Sequence, residues 1–317
     1  MRIKTKLCSL CTTAVIFACT ASSGWAAATV CNTKTVGTGA NKAAIAVASN
    51  FYAAAQDLVT AFQATGAGAN TAVTICQNST AHLLAEINSG TELPAAAFPS
   101  DPGFPRYGLF FAANATSPAA LQTTTGNTAY PYANGIPVLF SVSPAVTSVV
   151  DLMPSLAVEG STDPILNASL SGTMTSDQAI ATSTTNLLAV ADPIAAPYGL
   201  AATTILKDMG LLATTTGFTV PNWMHSPLYA NIDLTYTSVM NNVNPSGFVA
   251  KAQICSTLAA TRYIEFLDYP IDQEAILLNT LGGSPNATAA ALNSYVLGQM
   301  NAHLWNGFLT THCYQAL

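Results

Sequence analysis

Charge is what this sequence has least of. Only 8% of its 317 residues are charged, 9 Lys and Arg against 15 Asp and Glu, for a formal net charge of −6. Recognition of a phosphate backbone rests on clustered Lys and Arg, so a nucleic-acid partner is excluded. Disorder through charge excess is excluded as well, because 50% of the residues are hydrophobic and supply ample surface to bury. Beyond the N-terminus every apolar run is broken by Thr, Asn, Pro or Gly before the roughly 20 residues that a bilayer crossing needs, which argues against an integral membrane protein. His82, His225, His303 and His312 show no HExxH or paired His/Cys spacing, so no metal held directly by side chains is expected. Gly-x-Ser-x-Gly elbows and Gly-rich phosphate loops are missing too, and nothing nominates an enzyme or a cofactor.

What is present begins with an address. Arg2, Lys4 and Lys6 precede a mostly apolar stretch from Leu7 to Cys19, and Ala26, Ala27 and Ala28 offer the small residues a signal peptidase needs. Residues 1–28 are therefore expected to be an export signal. Ile16-Phe17-Ala18-Cys19 loosely resembles a lipoprotein cleavage site, with Phe17 the misfit. Removing the signal discards Cys8, Cys11 and Cys19 and leaves Cys31, Cys76, Cys255 and Cys313, an even set suited to two disulfides in an oxidising compartment. Three connectivities are open, and the expectation is that pairing ties the N- and C-terminal parts of the chain together.

The length suggests about two domains. Short strand-like runs recur at Ala43 to Ala48, Ala72 to Cys76, Leu109 to Ala112, Val138 to Val142, Leu187 to Ala191 and Phe248 to Ile254. Helical stripes lie between several of them: Ala54, Leu58 and Phe62; Leu83, Leu84 and Ile87; Leu200, Ile205, Leu206 and Met209, ended by Gly210. Strands alternating with helices of this size predict an α/β architecture with parallel-rich mixed sheets. In such sheets ligands sit where strands turn into helices. Three such turns carry capping or polar groups, at Ser49-Asn50, at Ser79-Thr80 and from Asp192-Pro193 to Tyr198-Gly199. A helix start presents unpaired N–H groups and partial positive charge, so several starts facing one cleft would hold an anion without Lys or Arg; each turn read alone is equally a plain helix cap.

The stretch Ala44-Ile45-Ala46-Val47-Ala48-Ser49-Asn50-Phe51 resembles the opening strand, ligand turn and helix of the periplasmic molybdate-binding proteins of ABC transporters. Asn78-Ser79-Thr80-Ala81-His82-Leu83 looks like that family's second turn. Leu188-Ala189-Val190-Ala191-Asp192-Pro193 through Pro197-Tyr198-Gly199 is the most specific match, and Tyr269-Pro270-Ile271-Asp272-Gln273-Glu274-Ala275 follows in order. The resemblance implies a two-lobed, periplasmic-binding-protein-like (type II) fold. Lobe I would be 29–135 plus 269–317 and lobe II 136–268, with the chain crossing near Tyr132 to Pro137 and Asp268 to Ile271. It implies a monomeric periplasmic receptor, not an enzyme, that captures molybdate or tungstate for an ABC permease. Another oxyanion such as sulfate, or an exported structural protein or hydrolase on the same fold, is the alternative.

Carried over residue by residue, the resemblance assigns the anion to Ser49 and Asn50, Thr80, Tyr198, and the backbone N–H of Ile232. Molybdate is a fully deprotonated dianion whose oxygens only accept, so hydroxyl, amide and N–H donors form a coherent set. The chain departs from the pattern in several places. Thr80 stands where the family has Ser, Ala250 where it often has Tyr, Gly108 and Asn114 where acidic residues are usual, and a Pro-rich stretch from Ala95 to Arg106 is extra.

Overall fold

The computed structural model describes residues 31–89, 107–142, 188–221, 224–260, 262–279 and 284–317. The expected export signal 1–28 and the Pro-rich stretch 95–106 lie outside them.

Strand β1 (Asn32–Val36) is exposed and polar, whereas β2 (Asn41–Ala48) and β3 (Thr71–Asn78) are buried almost throughout. The period-two alternation of a strand explains how β2 serves both faces of its sheet. Ala43, Ile45 and Val47 join one core with Phe51, Leu58 and Phe62, while Ala44 and Ala46 join another with Leu83, Phe110 and Ile276. The first core is roofed by α1 (Tyr52–Gln63), α6 (Ala287–Asn301) and α7 (Trp305–Thr311); the second is covered by α2 (Thr80–Ser89) and α3 (Thr116–Thr125). The Trp305 indole N–H donates to Tyr132 O at 2.6 Å, fixing α7 to the sheet.

With β4 (Leu109–Ala112), β5 (Tyr130–Gly135) and β10 (Ile271–Leu277), these strands form a six-stranded sheet ordered β1-β3-β2-β4-β10-β5. A second sheet contains β6 (Pro137–Ser141), β7 (Leu188–Ala189), β8 (Ser246–Ala250) and β9 (Arg262–Glu265), ordered β7-β8-β6-β9. Helices α4 (Pro197–Asp208) and α5 (Ile232–Met240) cover its two faces, α4 through Ala202, Ile205 and Leu206, α5 through Ile232 and Val239. The chain passes from the first sheet to the second at Ile136 and returns between Glu265 and Ile271. Both passages are pinned by backbone bonds, Lys251 N–H to Ile136 O at 2.9 Å and Phe266 N–H to Pro137 O at 3.1 Å.

The mixed α/β fold matches the sequence expectation, with parallel ladders at β2–β3, β2–β4 and β7–β8. The other ladders among the described residues are antiparallel, so the parallel share is smaller than expected. The double passage between sheets accounts for three of these five: it brings β10 back beside β4 and β5, and β9 beside β6, in the opposite sense.

Three local expectations change. The run from Phe248 to Ile254 is not one strand: β8 ends at Ala250 and Lys251–Ile254 is a helical turn. Gln253 Oε1 accepts the Ala250 N–H at 3.2 Å and closes that turn, a side-chain-to-backbone bond that competes with a ladder. Of the run expected from Leu187 to Ala191, Leu187 lies outside the described residues and the strand covers Leu188–Ala189, with Ala191 bridging to Tyr229. The disulfides pair Cys31 with Cys76 and Cys255 with Cys313, so neither ties the N-terminal cysteines to the C-terminal ones. Antiparallel pairing of β1 with β3 sets Thr33 against Cys76 and carries Cys31 into reach. By contrast, the end of α4 is as read. Gly210 has φ +76°, its N–H bonds Lys207 O at 2.8 Å, and Leu211 N–H bonds Leu206 O at 2.9 Å, a left-handed cap only Gly takes without strain. Among the described residues no helix is long and apolar enough to cross a membrane.

Candidate functional site

The carboxyl end of β2 runs into a single 3-10 turn, Ser49–Phe51, that opens α1. Phe51 anchors this turn against the rings of Tyr132, Phe111 and Tyr314, with centroids 4.7, 5.3 and 5.7 Å away. Ser49 is 5% exposed and Asn50 3% exposed. Ser49 Oγ is buried without a hydrogen-bond partner, and so is Asn50 Oδ1.

The other face of Asn50 is saturated. Its Nδ2 donates to Gln273 Oε1 at 2.8 Å and to Tyr314 Oη at 3.1 Å, and the Tyr314 hydroxyl donates back to Asn50 O at 2.8 Å. Both amide hydrogens are thereby committed. The side-chain amide expected to face a ligand instead holds the turn in place, and the backbone N–H at the start of the turn is the donor left to Asn50. Gln273, fully buried on β10, is the hub: its Oε1 also accepts from the Tyr132 hydroxyl at 2.8 Å, and its Nε2 donates to Tyr198 Oη at 3.2 Å. Tyr198 belongs to α4 over the second sheet, so this bond joins the two sheets. Room for it comes from Gly135, where a Cβ would collide with Tyr198 Oη and Gln273 Nε2.

Burial pushes the phenols of Tyr132, Tyr198 and Tyr314 upward, opposed at Tyr198 by the neighbouring amides of Gln273 and Asn50. All three keep their protons at any physiological pH and act as neutral hydroxyls.

Thr80 opens α2 at the carboxyl end of β3, and its Oγ1 accepts the Ala113 N–H at 3.1 Å, which leaves the hydroxyl hydrogen to be donated elsewhere. Beside it, Ala81 N–H donates to Ala195 O at 3.2 Å, a second bond between the two halves. Ile232 is the first residue of α5. The Asn231 side chain caps that helix by accepting Leu234 N–H at 2.9 Å, while the N–H of Ile232 has no partner inside the helix. Asp233 follows; burial raises its carboxyl above the usual range and a hydrogen bond with Gln77 of β3 partly offsets this.

The residues singled out from sequence thus converge. Tyr198 and Ile232 share a buried cluster with Ala48 and Ala113, the neighbours of Ser49 and of the Thr80 hydroxyl; α5 packs on the Ser49–Phe51 turn; and Asn50 reaches Tyr198 through Gln273. Sequence reasoning missed Gln273, Tyr132 and Tyr314. The one available signal was Gln273 itself, a polar residue in the inward register Ile271, Gln273, Ala275 of a strand. It also missed Gln253, whose Nε2 is buried without a partner on the turn that packs against Ser49–Phe51. Among the described residues Cys31, Cys76 and Glu86 gather as metal-ligating types, but both sulfurs are consumed in the disulfide.

Among solved structures, a periplasmic molybdate-binding protein of Azotobacter vinelandii superposes with a TM-score of 0.59 at 22% identity, covering 87% of this chain and 99% of its own. A substrate-binding protein of an ABC transporter from Agrobacterium tumefaciens follows with a TM-score of 0.55 at 10% identity, covering 86% and 82%. The fold is periplasmic-binding-protein-like. A sulfate-binding protein of Mycobacterium tuberculosis shares it, with a TM-score of 0.53 at 10% identity over 84% of this chain and 85% of that one. No protein-family model matches the sequence. In a periplasmic-binding-protein-like architecture the carboxyl ends of the parallel strands are the expected ligand positions, and Ser49, Thr80 and Asp192 stand just past the ends of β2, β3 and β7.

Proposed function

We propose that this chain is a periplasmic substrate-binding protein that captures molybdate or tungstate between two lobes and delivers it to an ABC permease. Lobe I would comprise 29–135 with 269–317 and lobe II 136–268, preceded by an export signal over 1–28. The carrying observation is the Ser49 hydroxyl, 5% exposed and without a partner, on a turn against which the start of α5 packs. An unpaired buried hydroxyl costs about 1–3 kcal/mol, and an acceptor-only anion relieves that cost. Backbone N–H groups of Ser49, Asn50 and Ile232 with the hydroxyls of Thr80 and Tyr198 complete a set of donors without formal charge. Each hydrogen bond to a charged partner is worth about 1.5–3 kcal/mol, so a handful suffices for tight binding. The net charge of −6 does not oppose this, because distant charges are screened beyond about 8–10 Å. No cofactor is required; the ligand itself is the anion.

A thermal-shift panel on the purified exported protein tests the reading. Molybdate or tungstate at about 100 times its Kd adds about 2.7 kcal/mol of stability, a melting shift of several degrees that chloride does not produce. The double variant Ser49→Ala, Thr80→Ala is expected to melt below the unliganded wild type, because the Ala113 N–H loses its acceptor, and to show no shift with the anion; a full shift from the double variant places the site elsewhere. A shift with sulfate alone would keep oxyanion capture and replace the anion.

A further inference from the structure

The donor sense of the site depends on a residue that does not touch the ligand. We infer that Gln273 is a positioning residue: by donating to Tyr198 Oη it forces the tyrosine to direct its own hydrogen away, into the cleft, and so makes the site selective for oxyanions that carry no proton. The inference rests on the oxyanion reading above and deepens it.

The geometry is closed on three sides. Gln273 Oε1 accepts from both Asn50 Nδ2 and the Tyr132 hydroxyl, each at 2.8 Å, so the amide is oriented with oxygen toward those donors and nitrogen toward Tyr198. The reversed amide would set its NH2 against the Asn50 NH2 and is excluded on that ground. With Nε2 donating at 3.2 Å, Tyr198 Oη is an acceptor on its Gln273 side. A phenol that accepts on one side has its single hydrogen left for another. Gly135 holds the two side chains in contact, since any Cβ there would collide with both. The hydrogen leaving Tyr198 therefore serves an acceptor such as molybdate or sulfate. Hydrogen phosphate accepts it too, but must also place its own O–H against an acceptor, and with its hydrogen turned to the cleft Tyr198 is not one.

Gln273→Glu inverts this at nearly constant shape. One carboxylate oxygen keeps Asn50 and Tyr132, the other accepts the Tyr198 hydrogen, and Tyr198 then offers the cleft only lone pairs. Isothermal titration of the exported protein with molybdate, sulfate and inorganic phosphate at pH 7 reads the effect. In the variant, molybdate and sulfate affinity is expected to fall about 10- to 100-fold, the value of one hydrogen bond to a charged partner, with phosphate falling far less. In a Tyr198→Phe background, adding Gln273→Glu is expected to leave the molybdate-to-phosphate ratio unchanged.

Equal losses for all three anions, or the same loss with and without the Tyr198 hydroxyl, would overturn the inference, because the buried charge alone would then be acting. Where Gln273→Glu does not fold, Gln273→Met removes the donor without adding charge. It is expected to weaken molybdate about tenfold with Tyr198 present and not at all in the Tyr198→Phe background. A wild-type protein that binds none of the three anions overturns the oxyanion reading itself, a result distinct from wild-type binding that Gln273→Glu leaves intact.

Discussion

Two uncharged side chains, Asn50 and Gln273, decide what the others are free to do. Asn50 spends its amide hydrogens on Gln273 and Tyr314 and Gln273 spends its own on Tyr198, so the hydroxyl of Ser49 and the Asn50 Oδ1 are left as the buried, unpartnered side-chain groups of the turn. Gly135 belongs to the same construction. Gly135→Ala is expected to cost about 1–3 kcal/mol through forced displacement of Tyr198 and Gln273, read as a lower midpoint in urea with an unchanged m-value. Asp233 gives a pH signature. Its carboxyl is raised by burial, so the folded state binds its proton more tightly than the unfolded chain does. That contribution favours the fold on the acid side and is lost as pH rises from the ordinary carboxylate value through the raised one. Asp233→Asn, which keeps an acceptor for Gln77, is expected to gain on the wild type in melting temperature as pH climbs through that window and to hold the gain above it. A difference that is constant across pH would remove Asp233 from the account. Ser49, Asn50, Thr80 and Tyr198 lie on turns that lead into helices and could be singled out locally, whereas Ile232 came only from the family resemblance. The network was not legible, because Asn50 meets Gln273 and Tyr314 across separations of 223 and 264 residues and no local pattern encodes such pairs.

Elements were legible in proportion to how completely they are buried. Strand β2 shows an unbroken apolar run since both of its faces meet a core, and α1 and α4 show stripes since one face of each does. Strand β1 escaped notice because Asn32, Thr33, Lys34 and Thr35 are exposed on an edge and are held by the β3 ladder instead of by burial. The end of β8 was overrun because the apolar run continues while a single side-chain bond, Gln253 to the Ala250 N–H, turns the backbone. The Cys255–Cys313 bridge operates at this scale. It joins the turn after β8 to the second residue beyond α7, and Tyr314 next to it grips Asn50. A closed loop of 58 residues is worth about 4 kcal/mol in chain entropy. Replacing Cys255 and Cys313 by Ser is expected to lower the melting temperature by several degrees and to weaken anion binding more than replacing Cys31 and Cys76, whose bridge lies at the far edge of the first sheet. Equal effects on binding would show that the tail does not position the turn.

At the scale of the molecule, the two sheets share one buried cluster, in which alanines sit beside larger residues such as Ile136, Tyr198 and Ile232. The residues that the first sheet and its turns send into the shared cluster are Ala48, Ala113 and Ile271, and Ala196 and Ala250 are among those facing from the second. The core of the first sheet, by comparison, is filled by Phe51, Phe62, Phe111 and Trp305. Apolar burial is worth about 25 cal/mol per Å², so methyl-sized contacts lend little cohesion per residue while aromatic ones lend much. Alanine is spread through all of these clusters, with Ala43, Ala54 and Ala289 in the first core beside its aromatic rings, and what the shared cluster has less of is aromatic side chains. Under the proposed capture, a few hydrogen bonds to the ion would be enough to tip the balance between apart and together, which a greasier joint would have decided in advance.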